Sequence, residues 1–130
     1  MLNKIMLIGN LGRDPEMTYT PGGKAVTKFS LAVSRRFKDR ESGESREETQ
    51  WFNIVAWDRL AETCNTYLHK GSKVYLDGRM TSRKYTDRDG QERTAWEVTA
   101  ETMEMLDPKN VNERRDSYGS GDITADDVPF

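Results

Sequence analysis

Residues 49–71 read TQWFNIVAWDRLAETCNTYLHKG, and two different hydrophobic patterns meet within them. Across residues 49–57 the large apolar side chains recur with a period of two, which is typical of a strand. Across residues 58–69 they recur at intervals of three and four, and Gly71 stands where a helix would end. The segment therefore predicts a strand that is followed directly by one helix.

Four further strands are predicted around this segment, two before it and two after it. Their residue ranges are 3–10, 25–34, 72–85 and 92–106. The polar residues 38–48 are expected to form an exposed hairpin loop, and residues 87–90 a tight turn between the last two strands.

The predicted order is three strands, one helix and two strands. This order favours an all-β fold, the five-stranded OB-fold barrel with a helix between strands three and four. In that fold a strand face and the loops between strands one and two and between strands four and five form a binding surface. An SH3-like barrel is the main alternative, but it lacks the helix.

Charge divides the chain of 130 residues into two parts. Residues 1–106 hold 17 Lys and Arg against 16 Asp and Glu, whereas residues 107–130 hold 3 against 6. The length leaves room for one domain of about 100 residues with its own core. We expect an OB-fold domain at residues 1–106, a flexible linker at 107–121, and a disordered acidic tip at 122–130 that is available to other proteins.

Several absences indicate the compartment. No apolar run approaches the ~20 residues that a membrane helix needs, and the first residues do not resemble a signal peptide. Cys64 has no second cysteine for a disulfide or a zinc motif, so we expect it to pack in a core. These features favour a soluble protein of a reducing cytoplasm.

Two of the predicted strands carry aromatic side chains outside the expected core face, and on strand four these alternate with cations. Trp51 and Trp57 share one face of strand three, while Phe52 and Ile54 occupy the other. On strand four Tyr85 shares a face with several cationic residues. Rings beside cations bind single-stranded nucleic acid with little sequence preference, at about 1–3 kcal/mol per stacked base. Any one ring could instead be a core residue, and Phe52 and Ile54 could form a core or a subunit interface.

Residues 3–16, NKIMLIGNLGRDPE, closely resemble the opening of bacterial single-stranded DNA-binding proteins. The resemblance continues through TQWF at 49–52, LAE at 60–62, YLHKGSKVY at 67–75, GR at 78–79 and RKYTD at 83–87, and it ends with DDVPF at 126–130. It therefore covers nearly the whole chain.

The resemblance implies roles for particular residues. The base-stacking rings would be Phe37, Trp51, Trp57 and Tyr85. The cations that resemble the family's phosphate contacts are Lys4, Arg59, Lys70, Arg83 and Lys84, and position alone adds Arg35 and Arg36. For each of these cations a solvated surface role is an equal alternative. The residues that would bind protein partners are Asp126, Asp127, Val128, Pro129 and Phe130.

The implied function is coating and protection of single-stranded DNA in replication, recombination and repair. The acidic tip would recruit replication, recombination and repair proteins by placing the terminal Phe130 in an apolar pocket with a basic rim. The family also implies a homotetramer, a location in the cytoplasm with the nucleoid, no cofactor and no metal. The role of Trp96 is open between core, interface and an additional platform.

Other functions have weaker support. An enzyme is not expected, since the chain has one His and one Cys and no G-x-S-x-G or H-E-x-x-H motif. Residues 87–98 do not form a calcium loop, because Gly90 is not the sixth residue and Val98 is the twelfth. A metal-dependent nuclease, a primosomal-type interaction protein, and an RNA or oligosaccharide binder on the same fold are the remaining alternatives.

Overall fold

The computed structural model describes residues 1–107. The acidic tip and the predicted linker beyond Asp107 lie outside the described residues. The elements are β1 Ile5–Leu11, β2 Glu16–Tyr19, β3 Ala25–Lys38, β4 Ser45–Trp57, α1 Asp58–Tyr67, β5 Lys73–Thr86 and β6 Glu92–Met105.

The sheet closes into a barrel. Its strand order is β1-β5-β6-β4-β3-β2, and β1 also pairs with β3 through Asn10 and Leu11. All pairs are antiparallel except β4–β6, which is parallel at Ile54 and Val55. Five strands form the barrel, and α1 lies between its third and fourth strands. This confirms the predicted OB fold.

The core lies inside the barrel and is completed by the helix. Leu31, Ile54 and Leu76 are fully buried, and α1 adds the fully buried Ala61 and Cys64. Ile54 and the partly buried Phe52 therefore belong to the core rather than to a separate apolar face. Burial raises the pKa of the Cys64 thiol to about 11, which leaves it protonated and unreactive near neutral pH.

Two features differ from the sequence-based expectation. The short edge strand β2 was not anticipated, and the hairpin loop predicted at residues 38–48 is confined to residues 39–44. The strands β3 and β4 continue through polar residues, pairing Arg35 with Glu48 and Phe37 with Arg46. The backbone hydrogen bonds of a strand pair do not require apolar side chains, so a polar hairpin can extend beyond the core.

Two hairpin arms extend from the barrel in this way. The β3–β4 arm comprises residues 34–49, and the β5–β6 arm comprises residues 82–96; almost every side chain in both is exposed. At the tip of the second arm the Asp87 carboxylate accepts hydrogen bonds from the backbone N–H groups of Asp89 and Gln91 and from Nε of Arg93. The arms therefore carry two of the predicted rings, Phe37 and Tyr85, and four of the predicted cations, Arg35, Arg36, Arg83 and Lys84. No helix among residues 1–107 is long and apolar enough to cross a membrane.

Candidate nucleic-acid interface

The four predicted stacking rings are all accessible. Phe37, Trp51, Trp57 and Tyr85 are 40%, 61%, 40% and 43% exposed. None of them is a core residue, because the side chains of the core are almost fully buried. Their role in stacking stays a prediction, but each ring is available to a ligand.

Three of the rings lie on the outward face of the barrel wall. Trp51 and Trp57 are opposite Ala32 and Val26 of β3, and alternate with the buried interior residues of β4. Tyr85 lies on the outward face of β5, where the guanidinium carbon of Arg83 is 5.9 Å from its ring centroid. Trp51, Trp57 and Tyr85 therefore share one side of the sheet.

Phe37 lies on the other face. Phe37 lies an even number of positions after the buried Leu31 on β3. Its side chain therefore continues the interior face of β3 onto the β3–β4 arm. The guanidinium carbon of Arg35 is 5.2 Å from the Phe37 ring centroid, close enough for a cation–π contact. The predicted rings thus occupy both sides of the sheet.

Trp51 rests on the backbone of Gly12. A methyl group at Gly12 would come within 2.6 Å of the Trp51 Cζ3 atom and within 3.0 Å of Ser30 Oγ, so only glycine leaves room for the ring in this position. Gly12 is held in place because its backbone N–H donates to the Ser30 carbonyl at 3.0 Å. From the sequence, Gly12 had no predicted role of its own beyond its place in the stretch 3–16 that resembles the family.

A groove lies on the same outward face as this ring. A cavity of about 170 Å³ is lined by Arg13 and Asp14 of the β1–β2 connection, by Lys28 and Ser30 of β3, and by Asn53 of β4. Asn53 and Ser30 are directly opposite each other on the outward face that carries Trp51. Arg13 and Lys28 were not predicted as binding residues, and their position around Asn53 depends on pairings that the sequence alone does not define.

The β1–β2 connection is fixed by the segment after α1. Gly71 donates a backbone hydrogen bond to Leu11 at 2.9 Å, and Leu11 donates one to Ser72 at 3.0 Å. The Lys70 backbone N–H donates to the Asp14 carboxylate at 2.7 Å. This places Lys70, a predicted phosphate contact, beside the groove.

The predicted phosphate contacts fall into two groups. Four are already paired with carboxylates: Lys4 with Asp77 at 3.1 Å, Arg35 with Glu48 at 3.2 Å, Arg83 with Glu97 at 3.0 Å, and Lys84 with Glu92 at 3.8 Å. Within residues 1–107, Arg36, Arg59 and Lys70 have no carboxylate oxygen within 4 Å. Surface ion pairs contribute about 0–1 kcal/mol, so a phosphate can compete for the paired cations as well.

Lys4 is distant from the Tyr85 ring. Its ammonium group and the Tyr75 hydroxyl, at 2.7 Å, both donate to the Asp77 carboxylate. These hydrogen bonds, first from Tyr75 and then from Lys4, hold the pKa of Asp77 below its ordinary value. The hydrogen bond to Asp77 raises the pKa of Lys4 and also that of Tyr75. Asp77 lies on the same outward face of β5 as Tyr85 but precedes it by eight residues, about 27 Å along a strand, so the structure places Lys4 far from the Tyr85 ring.

Arg59 is closer to a ring, since it lies in the first turn of α1, two residues after Trp57. In the part of the chain that the structure describes, no group of three or more His, Cys, Asp or Glu side chains could hold a metal ion.

The closed five-stranded barrel and its single helix define an OB-fold protein. The sequence model of the Single-strand binding protein family matches residues 2–106, and the chain belongs to this family.

Relatives and solved structures agree with this membership. Single-stranded DNA-binding proteins of Neisseria meningitidis serogroup A and of serogroup B are each 49% identical to the chain over 120 residues, covering 92% of this chain and 68% of the relative. A solved structure described as Plasmodium falciparum SSB complex with ssDNA is similar with a TM-score of 0.75 and 34% identity, over 82% of this chain and 97% of that one.

Proposed function

We propose that the protein binds single-stranded DNA without sequence preference and protects it during replication, recombination and repair. The observation that carries the proposal is the outward face on which Trp51, Trp57 and Tyr85 are exposed, with Arg83 beside Tyr85. Paired bases in a duplex cannot stack on such rings, whereas the bases of a single strand can. Family membership and the similarity to a solved complex with ssDNA support the same ligand.

The test is a titration of tryptophan fluorescence with a long oligothymidylate and with an equal mass of duplex. We expect strong quenching by the single strand alone, and a logarithmic salt slope near −0.7 for each phosphate neutralised. Trp51→Ala should weaken binding by about 1–3 kcal/mol, the contribution of one stacked base. Tyr67→Ala is the matched control, because Tyr67 is equally exposed, at 60%, but lies on α1.

Equal quenching by duplex, or an equal loss from both substitutions, would contradict the proposal. Competition with an oligouridylate of the same length then compares DNA with RNA. A preference for RNA would indicate an RNA-binding protein instead. The comparison is needed because stacking itself does not distinguish the two sugars.

The proposed assembly is a homotetramer. Its support is the apolar outer face of β1, where Met6 and Ile8 are 67% and 53% exposed. On the side of β1 that faces β3, only Asn10 and Leu11 are paired among the described residues, so residues 5–9 leave a strand edge open to a second copy. Light scattering should give four times the chain mass of 15.0 kDa. Ile8→Lys should lower this mass, whereas Tyr67→Lys should leave it unchanged.

The tip is proposed to recruit other proteins of replication and repair, in the cytoplasm and at the nucleoid. Its support is sequence chemistry: Asp126 and Asp127 stand beside the apolar Val128, Pro129 and Phe130. Removal of residues 128–130 should abolish binding to such partners and leave affinity for single-stranded DNA unchanged or slightly higher. A large fall in DNA affinity would contradict this separation of roles.

A further inference from the structure

Trp96 lies on the β5–β6 arm, on the face opposite to Tyr85. It is directly across from Ser82, and two residues further along β6 the same face carries Val98, which is 1% exposed. Tyr85 is across from Arg93 on the outward face. The arm therefore holds one exposed ring on each side, with Trp96 60% and Tyr85 43% exposed.

The surroundings of Trp96 are polar and cationic towards the arm's tip. Its diagonal neighbours across the strand pair are Met80 and Lys84, at about 7–8 Å, and the next pair on this face is Lys84 with Thr94. The Lys84 ammonium is 3.8 Å from a Glu92 carboxylate oxygen, and both side chains are more than two-thirds exposed, so the cation is accessible to a phosphate.

These neighbours distinguish between two classes of partner. The buried centre of a protein interface is a contiguous apolar surface, but here Ser82, Thr94 and Lys84 flank the ring on its exposed sides. A single ring between small polar residues and a cation is the arrangement that stacks on a base. Phe37, with Arg35 over its ring, lies on the corresponding inward face of the other arm.

We infer that Trp96 is a further base-stacking platform for single-stranded DNA, on the inward face of the β5–β6 arm. A bound strand then contacts both faces of this arm, stacking on Tyr85 on one side and on Trp96 on the other, with Lys84 facing its phosphates. The inference rests on the proposed function and adds a second binding face to it.

Because the chain has three tryptophans, variants with one tryptophan each can test the inference. Trp51→Phe with Trp57→Phe leaves Trp96 as the only tryptophan, and Trp57→Phe with Trp96→Phe leaves Trp51. Each full-length variant is titrated with oligothymidylate. We expect the fluorescence of both variants to be quenched at the same ratio of protein to nucleotide. Quenching of the Trp51 variant without quenching of the Trp96 variant would overturn the inference and leave the proposed function intact; absence of quenching in both would count against the proposed function.

A second test measures the affinity for DNA and the mass of the particle. Together they distinguish a base-stacking role of Trp96 from a role in a subunit interface. Trp96→Ala should weaken binding by about 5- to 150-fold, the value of one stacked base, and Trp96→Phe should restore most of it. Tyr67→Ala should leave the affinity unchanged. Light scattering on Trp96→Ala should show the wild-type mass; a lower mass with normal DNA affinity would assign Trp96 to a subunit interface and overturn the inference.

Discussion

At the scale of single residues, the position of Trp51 depends on a residue without a side chain. The ring lies so close to Gly12 that a Cβ at this position would be 2.6 Å from the Trp51 Cζ3 atom. Gly12 is held against β3 by its hydrogen bond to Ser30. An exposed tryptophan samples several rotamers. A base that stacks on it fixes the ring in one of them, which costs side-chain conformational entropy. Contact with Gly12 restricts the ring before the ligand arrives, so Gly12 acts as a positioning residue.

We expect Gly12→Ala to weaken binding of single-stranded DNA by up to the value of one stacked base, about 1–3 kcal/mol, because the added methyl group displaces the Trp51 ring. Fluorescence titration measures the affinity. In a Trp51→Ala background the same change should have little effect, which a double-mutant cycle would show. Gly22→Ala is the control, since a Cβ there would have only Thr20 Oγ1 nearby, at 3.9 Å. An equal loss in both backgrounds would mean that Gly12 does not act through the ring.

At the scale of elements, β5 and β6 carry both the barrel wall and one arm. Their register shifts between Asp77 and Gly78, where β6 contains one extra residue, Glu101. Gly78 lies against β6 so closely that a Cβ would collide with the carbonyl oxygen of Thr99. The bulge and this close contact together set the direction in which the arm leaves the barrel.

Gly78→Ala should destabilise the protein by about 1–3 kcal/mol, because an added methyl group in a packed strand pair forces the backbones apart. The free energy of unfolding in urea measures the loss, with Gly22→Ala as the control again. A variant as stable as the wild type would show that the β5–β6 pair can open without cost at this point.

The same elements show how far the sequence could predict the structure. Apolar patterns were sufficient for the five barrel strands, and the three-to-four spacing was sufficient for α1, because these patterns record burial in the core. The β5–β6 arm was also predicted, as strands 72–85 and 92–106 joined by a turn at 87–90. The β3–β4 arm was not predicted, because apolar alternation stops near Val33 while the backbone pairing continues to Lys38. The four-residue β2 was missed because only one of its side chains, Met17, is packed against the core.

The face of Trp96 could not be predicted for a different reason. On the C-terminal side of the bulge Met103 packs against the core, whereas on the N-terminal side the interior residues are Val98 and Ala100. Counting by two from Met103 would therefore place Trp96 on the outward face, the same face as Tyr85. The extra residue reverses the alternation, and its position follows only from the pairing with β5. The stacking rings on β4, where no bulge intervenes, were placed on their shared face correctly.

At the scale of the whole molecule, the domain is almost electrically neutral. Residues 1–106 hold 17 Lys and Arg against 16 Asp and Glu, so attraction to a polyanion depends on where the cations lie and not on net charge. The strand β1 joins the barrel at an otherwise exposed edge, and Lys4 links its start to Asp77 of β5. That link gives the stability of the molecule a dependence on pH.

Asp77→Asn should remove the contribution of the Asp77 carboxylate to the free energy of unfolding, a contribution that the wild type itself loses in acid. The pKa of Asp77 is lower in the folded protein than its ordinary value of 3.8, so its contribution is complete above about pH 4 and is lost as the pH falls through the folded-state pKa. The difference in unfolding free energy between wild type and variant should therefore be constant near neutral pH and shrink below about pH 4. Glu62→Gln, on the exposed face of α1, should show no such change. A difference that does not shrink in acid would contradict the role of the carboxylate.

The pairing of β1 with β5 also affects how the chain is made. Lys4 and Asp77 are 73 residues apart, and at about 5–20 residues per second the ribosome needs about 4–15 s to add the partner strand after β1 has been synthesised. During that time β3 offers β1 only the pairing at Asn10 and Leu11, so residues 5–9 of β1 have no strand partner. The barrel therefore closes late, when β1 pairs with β5. In the interval before this closure the nascent chain is most open to association with another copy.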